Sequence, residues 1–276
     1  MTLSVHTNNG AMLALQALNQ TNREIDDVQL RLNTGFKVVG AKDNAAIYAI
    51  AQNQRADVSA FNAVKQSLDR AISISDVALA AGESISDLLV QMKEKVVAAN
   101  DPSLDAASRA AYNEDFEALR DQIQTVLENA RFDGANILDG SLTNGIEVLA
   151  DADASNVITV STEDLSISGS IVSITTTDNL STITAASATL TRLSASIENV
   201  NAALARVGST AKKLETHEIF VSKLQDTLMS GIGNLVDADL ATESARLQAL
   251  QVKQQLGVQA LSIANSQPQL ILSLFQ

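Results

Sequence analysis

Residues 190–235 read LTRLSASIENVNAALARVGSTAKKLETHEIFVSKLQDTLMSGIGNL, and one apolar position recurs in them every seven residues: Leu193, Val200, Val207, Leu214, Val221, Leu228 and Leu235. Leu190, Ile197 and Leu204 stand three residues ahead of its first members. A series this long, unbroken by Pro, predicts a long helix packed in coiled-coil fashion against another helix.

The same period extends outward. Leu18, Ile25 and Leu32 are spaced by seven, after which Gly35 and Gly40 mark a break. From Asp43 the pattern resumes, with Leu68, Ile72, Ile85, Leu89, Met92 and Val96 on one stripe, and it stops at the Asp101-Pro102 turn signal. Tyr112, Phe116, Leu119, Ile123, Val126, Leu127 and Ala130 step by threes and fours along a third helix, and Leu240, Leu247 and Leu261 mark the last. Between roughly 140 and 178 the composition turns to Ser, Thr, Ile, Val and Gly. There NVITVSTEDLSISGSIVSITTT (156–177) alternates as short strands do. The expected fold is mainly α: a long antiparallel, coiled-coil-like bundle formed by the N- and C-terminal halves, with a small β-rich tip.

Composition agrees with long helices. Of 276 residues 46% are hydrophobic but only 3% aromatic, Trp is absent and Pro occurs twice. A net charge of −13 supplies no basic stripe for phosphates, so nucleic acid is not an expected partner. Without Cys there are no disulfides, thiolate metal sites or cysteine nucleophiles. The N-terminus lacks a basic n-region and a signal-type apolar core, so any route out of the cell is expected to be another one.

Charge is unevenly placed. The last 23 residues, QQLGVQALSIANSQPQLILSLFQ (254–276), contain no charged side chain, and none precedes Arg23 at the other end. Neither end reads as a membrane span, because Gln and Asn interrupt the C-terminal tract and Pro268 lies within it. An antiparallel topology places these neutral amphipathic ends side by side. Two helices bury only one stripe each, so full burial requires neighbouring chains. Charges sealed in such an interface cost several kcal/mol, on the order of a lost ion pair, unless they are paired, and amides avoid that cost.

Four stretches carry a family resemblance. LNTGFKVVGAKDNAAIYAIA (32–51) resembles the N-terminal signature of bacterial flagellins, NARFDGANILDG (129–140) their turn after the third helix, and NLVDADLATE (234–243) and IANSQPQLILSLF (263–275) their C-terminal motifs. The likeness covers about 1–140 and 178–276 and is greatest to the short alphaproteobacterial kind. Departures include Ile47 where many flagellins carry Gly, Asn44 in place of Asp, and a segment 88–100 without the arginine pair of the family's innate-immune receptor epitope. That last departure implies weak or absent receptor recognition.

The resemblance implies a filament subunit for swimming motility, exported unfolded by the flagellar type III system and located outside the cell. It implies an inner core from 1–40 and 236–276, rod helices at 41–140 and 179–235, and a short outer segment at 141–178. Expected partners are further copies and flagellin paralogues, hook-associated junction and cap proteins, and an export chaperone at the C-terminal helix, with no membrane insertion. Expected subunit-packing residues are Leu15, Leu18, Ile25, Leu32, Gly35, Lys37, Lys42, Asp43, Leu247, Leu250, Leu256, Leu261, Leu270, Leu274 and Phe275. In flagellins, outer-segment hydroxyls are often O-glycosylated, which makes Ser161, Thr162, Ser166, Ser168, Ser170, Thr175, Thr176 and Thr177 candidates beside their plainer reading as β-prone surface. Alternatives are a hook-filament junction protein, which shares the terminal helices, and a secreted membrane-active translocator.

Chemistry is poorly represented. His6 and His217 are the only histidines, and THEIF (216–220) lacks the second His of a zinc-protease helix. Asp237 and Asp239 lack the Gly and later ligands of a calcium loop and are better helix caps. DADAS (151–155) reads as a turn, and TGFKVVGAKDN (34–44) has neither dinucleotide nor P-loop spacing. No cofactor, metal or enzymatic activity is expected.

Overall fold

A computed structural model describes residues 7–272, with the helical backbone alone for 267–272. Five helices, α1 (Asn9–Thr34), α2 (Ala45–Ala99), α3 (Ala106–Asn129), α4 (Ile183–Val236) and α5 (Leu240–Leu272), account for most of it. One two-stranded sheet, β1 (Ile146–Leu149) and β2 (Val157–Val160), lies between α3 and α4 in the chain. The chain forms two compact units: residues 57–226, here the middle unit, and residues 1–56 with 227–276, the terminal unit. Long helices α2 and α4 contribute to both.

In the middle unit, α2 buries one row at alternating steps of three and four, from Phe61, Val64 and Leu68 through Gly82 and Ile85 to Val96 and Ala99. That is the spacing by which a helix keeps a single seam toward its neighbours. The neighbour is antiparallel α4. Gln225 donates to Val58 O and Asn62 Oδ1, Lys65 pairs with Glu218, and Ser86 donates to Asn201. A Cβ on Gly82 would run into the side chain of Leu204, so glycine permits the close approach there.

The seven-residue series on α4 is buried from Leu193 to Val221. Its second seam differs from the expected one. Leu190, Ile197 and Leu204 are only half-buried, and the buried positions are the small residues Thr189, Ser196 and Ala203, again seven apart. Ser196 uses its position to accept the Ser173 N–H and to donate to Arg192 O, tying a neighbouring segment to the helix. Beyond Gln225 the phase shifts: Leu228 and Leu235 are half-buried, while Ile232 and Val236 turn inward.

The β region is smaller than the alternation predicts. Ile146 pairs with Val160 and Leu149 with Val157, and Asp151 organises the intervening loop through Ser155 and Asn156. Residues 161–182 form no strand. Side chains there satisfy the backbone locally: Asp164 accepts the Ser166 N–H and Asp178 the Thr175 N–H. The apolar residues Leu165, Val172, Ile174 and Leu180 are fully buried, and Glu163 and Leu165 donate to Ile137 and Leu138 across the 129–140 turn.

Two capping arrangements join α2 to α3. Asp105 accepts the Ser108 N–H as the N-cap of α3. Buried Arg109 donates to the carbonyls of Ala99, Asp101 and Leu104, so it takes up the last carbonyl of α2 and two in the connection that follows.

Candidate assembly surface of the terminal helices

The terminal unit is organised by the antiparallel pair α1 and α5. Asn8 donates to Ala264 O at 2.7 Å, Gln254 donates to Asn22 at 2.7 Å, Lys253 lies 3.6 Å from Glu24, and Arg31 lies 3.5 Å from Glu243. Ile25, Val28 and Leu250 form the buried cluster between the helices, with Leu247 packed against it. Gly257 leaves room for the Leu18 side chain, which a Cβ would meet at 3.3 Å. Small and amide residues thus bring the helices together with few large side chains.

Each helix has a second face that stands exposed among the described residues. Met12, Leu13 and Leu15 on α1 are 66%, 68% and 48% exposed, and Leu256 and Ile263 on α5 are 60% and 65% exposed. Sealing one such Leu or Met from water is worth roughly 1.5–3 kcal/mol. Large apolar side chains grouped in this way on a surface make it a candidate for contact with another chain.

The expected packing residues therefore divide. Ile25 and Leu250 are buried within the pair, whereas Leu18, Leu32, Leu247 and Leu261 are half-buried. Leu15 and Leu256 face solvent, as do the side chains of Lys37, Lys42 and Asp43. Leu270 lies on the backbone of α5, and Leu274 and Phe275 lie outside the described residues.

The joint between α1 and α2 closes onto the α4–α5 joint. Gly35 ends α1 at a φ of 73° and returns its N–H to Arg31 O at 2.8 Å. Its carbonyl accepts the Ala238 N–H, Phe36 bridges Asp237, and Lys37 donates its N–H to Val236 O and its Nζ to Asn234 O. Asp43 accepts the Val39 and Gly40 N–H groups, so it shapes the turn from within. A groove of about 490 Å³ opens here, bordered by Asp27, Arg31, Lys37 and Asp43 among others. Asp239 caps α5 by accepting from Ala241 and Thr242, and the Thr242 bonds hold its carboxyl below the ordinary aspartate range.

In the outer segment Ser161, Ser168, Ser170, Thr176 and Thr177 are exposed, and Thr162, Ser166 and Thr175 are half-buried. Ser166 donates its hydroxyl to Asp164, and the Thr175 and Thr177 hydroxyls bond each other at 3.0 Å. His217 hydrogen-bonds Ala150 O at 2.8 Å and packs on Phe220; His6 lies outside the described residues. Among the described residues, no group of three or more His, Asp or Glu is placed to hold a metal ion, and no helix is long and apolar enough to cross a membrane.

The helical halves that build this surface match known sequence families. The bacterial flagellin N-terminal helical region matches residues 5–143, and the bacterial flagellin C-terminal helical region matches residues 171–275. This chain belongs to the bacterial flagellin family. The flagellin FljK of Caulobacter vibrioides is 52% identical over 99% of this chain and 98% of its own length, and a flagellin of Brucella melitensis is 36% identical over 99% of each. These relatives place the flagellin in the alphaproteobacterial type. A flagellar hook-associated protein structure from Vibrio parahaemolyticus shares the fold at a TM-score of 0.58 and 16% identity, covering 71% of this chain and all of that one. The flagellin is a structural subunit of the flagellar filament and not an enzyme.

Several structural residues escape a periodicity reading: Arg109, the pair Arg206–Glu163, and Asp178, which is buried beside Arg192. Their only sequence signal is a lone charged residue interrupting or flanking an apolar row.

Proposed function

We propose that the flagellin polymerises by burying the uncovered faces of α1 and α5 against neighbouring copies. In the polymer, residues 1–40 and 236–276 form the inner core, 41–140 and 179–235 the rod around it, and 141–178 a short outer segment. The observation that carries this reading is the pairing of exposed Leu15 and Leu256 with two chain ends that lack charge. Leu270, Leu274 and Phe275 extend the same core, while Gly35, Lys37, Lys42 and Asp43 present the joint to a neighbour.

Thin cores within each helix pair suit export in the unfolded state through the flagellar type III system, followed by folding at the growing tip outside the cell. A chaperone covers the α5 segment before export. The terminal helices also meet the junction and cap proteins at the filament ends, and the Ser and Thr residues of 161–177 are glycosylation acceptors. Full-length likeness to flagellins favours the filament subunit over a hook-filament junction protein.

Deletion of 257–276 tests the core assignment. The truncated chain should retain the helicity of the middle unit and form no filament, as read by circular dichroism and electron microscopy of seeded assembly. Normal filaments from it would overturn the role given to the uncharged end.

A further inference from the structure

Two outward faces of the middle unit combine exposed apolar side chains with opposite charge. On α4, Ile219 and Phe220 are 54% and 55% exposed and are accompanied by Lys212, Lys213 and Lys223. Helical spacing puts all five within roughly 120° of arc. Phe220, Lys212 and Lys213 also border a recess of about 420 Å³ with Ile158 at its edge. On α2, Val90 and Val97 are 54% and 53% exposed and alternate with Asp87 and Glu94 at steps of three and four. Glu83 continues this row toward the N-terminus, and none of its three carboxylates forms an ion pair among the described residues.

Charge selects the occupant. The middle unit holds 12 Lys and Arg against 25 Asp and Glu, a net of −13, while the terminal unit holds seven of each and is neutral. Middle units crowded together in a polymer repel one another unless basic faces are set against acidic ones. Glu215 and Asp226 flank the α4 face, and Glu215 pairs with Lys212, so the basic surplus centres on Lys213. Both faces lie on the sides of their helices turned away from the buried seam. A contact between them is heterologous and leaves one face of each kind free to continue the array.

We propose that the Lys212–Phe220 face of α4 in one copy receives the Glu83–Val97 row of α2 in the next, with valines against Ile219 and Phe220 and carboxylates against lysines. This contact rests on the filament reading and adds to it a specific lateral pairing. A charge swap tests it. K212E/K213E and E83K/D87K should each raise the critical concentration for seeded growth by about tenfold or more, since like charges then face each other. Mixing the two variants in equal amounts should restore much of the loss. Carbodiimide coupling of polymer grown from equal parts of ¹⁴N and ¹⁵N chain should join Lys212 or Lys213 to Glu83, Asp87 or Glu94 between copies of different isotope. Variants that grow like the parent, or polymer without those mixed-isotope links, overturn the pairing and leave the filament reading intact. A parent chain that forms no polymer overturns both.

Discussion

Arg206 on α4 grips the buried Glu163 with two parallel hydrogen bonds, Nε to Oε1 at 2.7 Å and Nη2 to Oε2 at 2.6 Å. Glu163 sits where the 161–182 segment crosses the 129–140 turn, so the pair fastens an irregular stretch to a helix. The fork geometry is one that Lys does not reproduce.

Removing the arginine strands a carboxylate at a buried position. Arg206→Ala should destabilise the middle unit by about 1–3 kcal/mol, read as a lower denaturation midpoint. Glu163→Gln, which keeps an acceptor for the guanidinium, should cost less. Equal losses in the two variants would show that the pair does not act through a stranded charge.

The α2–α3 connection should weaken in acid. Asp101 and Asp105 have carboxyls held below the ordinary aspartate range, first by the Ser103 and Ser108 backbone N–H groups and then by further hydrogen bonds to the same serines. Because the folded value is the lower one, their contribution is fully present above the unfolded value and is lost as pH falls through the folded one. Asp105→Asn keeps an acceptor at the cap without titrating there. It should flatten the acid arm of the stability curve; an unchanged arm, followed by helicity against pH, would remove Asp105 from that account.

Gly35 holds a φ of 73°, with no atom within 4 Å of where a Cβ would stand. Space is therefore not the constraint, and the backbone angle is. Gly35→Ala should cost about 1 kcal/mol at the α1 terminus, with Gly35→Asn intermediate, since Asn tolerates the left-handed region better than Ala. The measurement is the melting temperature of assembled filament, and Ala outperforming Asn would contradict the argument.

The helical architecture is legible because burial along α2 and α4 follows a seven-residue period that large apolar residues report. Thr189, Ser196 and Ala203 form an equally regular seam that hydropathy does not reveal, since small and hydroxylated side chains carry little apolar signal. Alternation in 156–177 predicts strands throughout, and the structure carries one only as far as Val160. Past it, Asp164, Ser166, Thr175 and Asp178 bond the backbone in turns, and the apolar residues are buried one at a time. Missing charge at both ends of the sequence points to the helices α1 and α5 that carry the candidate surface. Sequence alone does not separate Leu250, buried inside the α1–α5 pair, from Leu256, one and two-thirds turns onward and facing out.

Leu250 and Leu256 therefore have separable roles. Leu250 belongs to a buried cluster with Ile25 and Val28, so Leu250→Ala should remove packing worth roughly 2–5 kcal/mol. The free subunit should lose helicity in α1 and α5, and polymer growth should fail with it. Leu256 touches water in the single chain, so Leu256→Gln should leave helicity and denaturation midpoint unchanged and still slow addition to filament seeds. The amide also suits the surrounding Gln and Asn residues, which limits the change to the apolar contact itself. Circular dichroism at 222 nm and seeded elongation, measured on the same samples, distinguish the two. If Leu256→Gln subunits elongate seeds at the parental rate, the outward face of α5 is not where copies meet.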